Sequence, residues 1–295
     1  MSATEVPRVV YVHGAGNKPS SNDLKRAWDL DLFGQDMGER TRMAHYADLL
    51  HATPGAIGAD ACTQGEALTA IVLAATAASG EAAAAEEAEL LDRLTPQGRQ
   101  LALSLSMSVA AQAVSRPPTA EESLAAILPL PASLRRLLLR QLLQRLIPDA
   151  DAYFFTSRQQ PVRERVRQAL DAAAGPVVVV SHSLGTVVAY DVLSEPRFAA
   201  ATVPLLVTLG APLGYTEIQD AVAKPLRLPA PVQLWANFAD PLDLVTLDTS
   251  LADEFQGGSR IVDARVDNPS PNNHAACGYL SATRVRSTVT AAVPG

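Results

Sequence analysis

The chain has 295 residues, 48% hydrophobic and 19% charged, which is long enough for one large or two ordinary domains and far from the composition of a disordered chain. Its formal net charge of −7 repels a phosphate backbone, and no basic stripe interleaved with aromatics offsets this, so nucleic acid is not an expected partner. The two cysteines, Cys62 and Cys277, have neither metal-ligand nor CxxC spacing and read as isolated thiols, which suits a reducing, cytoplasmic location.

Residues Met1 to Pro7 lack a basic segment followed by an apolar one, so nothing there reads as a secretion signal. A strand pattern starts at once with Arg8-Val9-Val10-Tyr11-Val12 and feeds the glycine-rich turn His13-Gly14-Ala15-Gly16-Asn17. A helix is expected from Asp23 to Phe33 and a short strand near Thr41 to Tyr46. Residues 1–50 thus read as the β-α-β start of a parallel sheet with helices on its faces.

Residues 51–148 have almost no β-branched runs and are dominated by Ala, Leu, Glu, Gln and Arg, the strong helix formers. Helices are expected near Gln64–Ser79, Glu81–Arg93, Pro96–Ser115, Ala120–Leu128 and Ala132–Ile147, broken at Thr95-Pro96, Pro117-Pro118-Thr119 and Pro129-Leu130-Pro131. In the last of them Leu134, Leu137, Leu138, Leu142 and Leu146 form one stripe. That stripe suits packing onto the core; the alternative is a lid that faces a lipid-like substrate or makes peripheral contact with a membrane. The longest apolar-looking runs, Ala67–Ala85 and Leu101–Val114, are rich in Ala and Ser and do not read as membrane spans.

From Asp149 to Gly295 helix and strand alternate again. A charged helix near Val162–Ala174 stops at Gly175-Pro176, before the apolar strand Val177–Val180. A helix over Leu184–Leu193 and strands over Val203–Leu209, Val232–Phe238 and Arg260–Val266 follow. The expected fold is therefore α/β: one mostly parallel sheet flanked by helices, formed by residues 1–50 and 149–295 and interrupted by a large helical cap over 51–148.

Between the strand ending at Val180 and the helix from Leu184 stands Ser181-His182-Ser183-Leu184-Gly185-Thr186. A nucleophile elbow needs small residues two before and two after its serine, because the turn from strand to helix is sharp; here these are Ser181 and Gly185. The turn puts Ser183 at a helix N-terminus, where the amide of Leu184 can meet charge developing on a substrate oxygen. A helix-capping role for Ser183 is the competing reading.

Acyl chemistry at a serine also needs a base and an acid, which in this arrangement follow it in the order Ser, Asp/Glu, His. Past Ser183 the chain contains a single histidine, His274. The strand ending at Phe238 runs into Ala239-Asp240-Pro241-Leu242-Asp243, which offers two acids. Asp243, followed by apolar residues that can tuck it against the core, is preferred; Asp240 is the reserve, with a turn role before Pro241 as its alternative. The second oxyanion donor is expected from the amide of Ala15, with Gly14 next. The imidazole of His13 is expected to be structural, and that of His182 to point away from the serine.

These segments, together with Leu209-Gly210-Ala211-Pro212-Leu213, resemble the α/β-hydrolase superfamily, in particular its lipase-like and esterase-like members, over about two thirds of the chain. The resemblance implies Ser183, Asp243 and His274 as a triad, Ala15 and Leu184 as oxyanion donors, and no metal or organic cofactor. The expected activity is hydrolysis of a carboxylic ester with an apolar acyl or alcohol group through an acyl-enzyme. The same residues would serve thioester hydrolysis or acyl transfer, and a non-catalytic scaffold whose helical insert binds a partner is the rival from another class.

Overall fold

A computed structural model describes residues 6–55, 89, 91–104, 146–241, 243–246, 249–268 and 273–294. One sheet of six strands runs through it: β1 (Arg8–Val12), β2 (Thr41–Ala44), β3 (Val177–His182), β4 (Val203–Leu209), β5 (Val232–Ala239) and β6 (Ile261–Arg265), in the spatial order β2-β1-β3-β4-β5-β6. Every pairing is parallel. The expected α/β architecture is what the chain adopts.

Side chains alternate across the sheet, so each strand feeds two cores. Val10, Val177, Val179 and Leu206 join the helices α3 (Ile147–Phe155), α4 (Gln159–Ala173) and α5 (Leu184–Leu193) on one face. Val9, Tyr11, Val178, Val180 and Phe238 pack against α1 (Ser21–Phe33), α7 (Ala276–Ser281) and α8 (Thr283–Ala292) on the other. Burial on both faces explains the uninterrupted valine run of β3, each fully buried valine contributing about 1.5–3 kcal/mol. The two short helices α2 (Ala47–Leu50) and α6 (Thr216–Ala221) lie in connections.

Two departures from expectation have local causes. Ile147, the expected last residue of the helix from Ala132, instead opens α3, and Pro148 stands in its first turn, where its missing N–H has no intrahelical acceptor to lose. The C-terminal pair α7 and α8 has no sequence signal: Thr283-Arg284-Val285-Arg286-Ser287-Thr288-Val289 is rich in β-branched residues, and the helix is held by fully buried Val285 and Val289 rather than by propensity.

The expected helices Gln64–Ser79 and Ala120–Leu128 lie outside the described residues, as does most of Ala132–Ile147; within the 51–148 stretch, residues 91–93 and 96–104 are helical. Of the leucine stripe only Leu146 is described, and it is buried in the core. Among the described residues no helix is long and apolar enough to cross a membrane.

The reading of the cysteines as isolated thiols is corrected: Cys277 is disulfide-bonded. The chain's other cysteine, Cys62, lies outside the described residues. Sequence spacing is no guide here, because a bridge depends on distance in the fold. With the bridge, cysteine usage no longer favours a reducing compartment.

Candidate active site

The strand order reverses direction between β1 and β3, the neighbours at the centre of this side of the sheet. In an open parallel sheet such a switch point leaves a crevice beyond the strand C-termini. The loop after β1 carries His13-Gly14-Ala15, and the turn after β3 carries Ser183. A Cβ placed on Gly14 would lie 2.6 Å from the Ser183 Cβ, so the two loops touch and only glycine fits.

Ser183 has φ 53° and ψ −131°, a backbone region that costs a non-glycine residue about 1–3 kcal/mol. Its surroundings hold it there. Its amide donates to the Leu209 carbonyl at 2.9 Å, and its carbonyl accepts from the Thr186 amide at 2.9 Å and hydroxyl at 2.7 Å. Gly185 is required because a Cβ there would meet the carbonyl oxygens of His13 and Val12 at 2.2 and 2.4 Å. Ser181 stands at the first small position with a purpose of its own: its hydroxyl donates to the Val207 carbonyl at 2.9 Å.

The three residues singled out in the sequence meet. His274 Nδ1 lies 2.8 Å from Asp243 Oδ2, and His274 Nε2 lies 2.8 Å from Ser183 Oγ. A carboxylate only accepts, so Nδ1 carries the proton and Nε2 is left to accept the serine's. Asp243 is buried and its Oδ1 accepts from the Val245 amide at 2.9 Å.

Asp240, the reserve acid, does not reach the imidazole; its Oδ2 accepts from the Asn268 amide at 2.7 Å and from Asn273 Nδ2 at 3.3 Å. Asn268 Nδ2 in turn donates to the carbonyls of Asn273 and Ala275, each at 2.9 Å. Asp240 therefore anchors the loop that presents His274.

Leu184 is the first residue of α5, where an amide has no intrahelical acceptor. Ala15 lies one residue beyond the Gly14 contact with Ser183. The histidines flanking these loops are structural. His13 is fully buried, with Nδ1 2.8 Å from the Gly14 carbonyl and Nε2 accepting from the Tyr46 amide at 3.0 Å, and its ring stacks on Tyr46. His182 turns away from the serine and donates from Nε2 to the His274 carbonyl at 2.9 Å. Burial holds both imidazoles well below their ordinary range, and for His182 the adjacent His274 adds to this.

Other parts of the site have weaker or no sequence signals. The Tyr279 hydroxyl lies 2.7 Å from Asp243 Oδ2. Gly210, at φ 57°, lies against the acid and base: a Cβ there would be 2.9 Å from Asp243 Oδ2 and 3.1 Å from His274 Nδ1. Its place in Leu209-Gly210-Ala211-Pro212, a strand end followed by a turn, is a signal that could have found it. Asp149 accepts at one oxygen from the Gly16 amide at 2.7 Å and pairs with His51 Nε2 at 3.2 Å. The hydrogen bond to Asp149 raises the His51 imidazole above its ordinary value, against its partial burial. Asn17 and Lys18 are also bonded to the segment that starts at His51, through Asn17 Nδ2 to the Thr53 carbonyl and the Gly55 amide to the Lys18 carbonyl, both at 2.7 Å.

Among the described residues no cluster of His, Cys, Asp and Glu is arranged to hold a metal ion. Chemically, the set can activate a hydroxyl, hold the proton it releases and offer backbone donors beside it. Compared with known protein families and with curated proteins, the chain matches no family model and has no significant match among the curated sequences.

Proposed function

We propose that the chain is an α/β-hydrolase-type serine hydrolase that cleaves a carboxylic ester through an acyl-enzyme. One observation carries the reading: the continuous hydrogen-bonded chain from Ser183 Oγ through His274 to Asp243, 2.8 Å at each link, on a serine held at a backbone angle that only its surroundings justify.

In this reading Ser183 Oγ attacks the acyl carbon as His274 Nε2 takes its proton. The tetrahedral oxyanion is met by the amides of Leu184 and Ala15. The intermediate collapses when the imidazolium returns the proton to the departing alcohol, leaving an ester on Ser183. Water then repeats the sequence, with His274 as base and then acid, and releases the carboxylic acid. Asp243 remains ionised throughout, orienting His274 and offsetting the imidazolium charge. A substrate with an apolar acyl or alcohol group is the proposed class, and rates across p-nitrophenyl esters of increasing chain length test it.

A fluorophosphonate probe, which is captured only by an activated serine, tests the mechanism. Wild-type protein should be labelled and Ser183→Ala should not. Folded wild-type protein that takes up no probe and hydrolyses no p-nitrophenyl ester would end the proposal.

A further inference from the structure

We infer that Tyr279 is a positioning residue of this site: its hydroxyl fixes the Asp243 carboxylate in the orientation that keeps the proton of His274 on Nδ1. The inference rests on the serine-hydrolase reading above and adds to it a residue outside the triad.

Tyr279 lies in α7, fully buried. Two hydrogen bonds meet at its oxygen: from the Asp240 amide at 2.9 Å and to Asp243 Oδ2 at 2.7 Å. Their directions are forced. An amide can only donate, so the phenol oxygen accepts from Asp240, and its single proton goes to the carboxylate. Asp243 Oδ2 thus takes two donors, Tyr279 and His274 Nδ1, while Oδ1 takes the Val245 amide. Three donors, one from its own loop and two from the 274–279 segment, hold the carboxylate toward the imidazole.

The phenol can serve only as a donor here. Burial, followed by the charge of Asp243, pushes it well above its ordinary range, so it keeps its proton wherever the imidazole titrates. The same hydroxyl ties the acid to the end of β5, since Asp240 is the residue after Ala239. The ring itself belongs to the core formed with Val9, Val178 and Val180, which a phenylalanine would fill equally well.

Tyr279→Phe is therefore the test, since it removes one oxygen and keeps the packing. Losing a hydrogen bond to a charged group corresponds to a fall in kcat of roughly 10- to 100-fold, with KM changed by less than about twofold. A purely structural tyrosine would also lower Tm, so the deciding readout is the pH profile. Among the described residues His274 is faced by Ser183, His182 and Asp243, and Asp243 by Tyr279 and, through its charge, Tyr215. Without the phenol, more negative charge remains on the oxygen that faces the imidazole. This favours the imidazolium, so the acidic limb of kcat/KM should move to higher pH.

The same shift should show in an NMR titration of the His274 imidazole in unliganded protein, which needs no turnover. In an Asp243→Asn background, Tyr279→Phe should add little further loss. Wild-type activity with a Tyr279→Phe profile and imidazole titration that superpose on wild type would overturn the inference and leave the hydrolase reading standing. A shifted imidazole in a protein that labels with no fluorophosphonate would do the opposite.

Discussion

Asp243→Asn is the perturbation that most sharply separates the two candidate acids. In the native site the carboxylate receives three donors: His274 Nδ1 at 2.8 Å, the Tyr279 hydroxyl at 2.7 Å and the Val245 amide at 2.9 Å. An asparagine has one oxygen to offer. If that oxygen stays with Val245, its NH2 group faces Nδ1 and forces the imidazole proton onto Nε2, where it points at Ser183 and cannot accept the serine's proton. The expected loss in kcat is on the order of 10⁴-fold, or about 5.5 kcal/mol of transition-state stabilisation. Asp240→Asn is different, because its amide oxygen can take the place of Oδ2 and still accept from the Asn268 amide at 2.7 Å and from Asn273 Nδ2 at 3.3 Å. What these bonds lose is the charge on the acceptor, worth about 0.5–1.5 kcal/mol, so kcat should fall by roughly 10-fold or less. Initial rates on a short p-nitrophenyl ester, normalised to folded protein by circular dichroism, measure both. A larger loss in Asp240→Asn than in Asp243→Asn would refute the assignment of the acid.

Other expectations follow from the same contacts. Gly185→Ala drives a methyl to within 2.2 Å of the His13 carbonyl oxygen, so it should cost about 3 kcal/mol or more; a Tm within a few degrees of wild type would contradict the geometry. Asp149→Ala removes the acceptor of the Gly16 amide and the partner of His51, and should lower kcat on short esters more than it raises KM; an effect on KM alone would show that Asp149 acts on binding and not on the loop beside Ser183. Burial depresses His13 and His182, so the unfolded chain binds protons that the folded chain refuses. Stability should therefore fall as pH drops below about 6.5, by about 1.4 kcal/mol per pH unit for each histidine until the folded value is reached. Urea unfolding between pH 7 and 5 measures the slope, and His182→Gln, which keeps a donor for the His274 carbonyl, should reduce it; an unchanged slope would contradict the burial argument for His182.

Much of the site was legible because its chemistry is local or leaves few choices. Ser183 announces itself by a strand, a tight turn and a helix in direct succession, and His274 by being the single histidine downstream. The acids were harder. Asp240 and Asp243 stand three residues apart in one loop, and composition offers no way to see that one is turned to the imidazole and the other to the loop that carries it. Tyr279, Gly210 and Asp149 gave less still, since each acts on a partner many residues away.

The sequence by itself determined the parallel sheet, since apolar runs such as Val177 to Val180 and glycine-rich strand ends dictate local structure through sterics and periodicity. It also determined the order Ser183, Asp243, His274 along the chain, which the proposed nucleophile, acid and base require. Tertiary structure alone decided which carboxylate faces His274, which phenol holds that carboxylate, and that Cys277 is bridged. It also decided the helix at Thr283–Ala292, whose β-branched residues are overruled by burial of Val285 and Val289. These are matters of a few ångströms between segments distant in the chain, and hydrogen-bond direction and burial resolve them where spacing along the chain carries no such information.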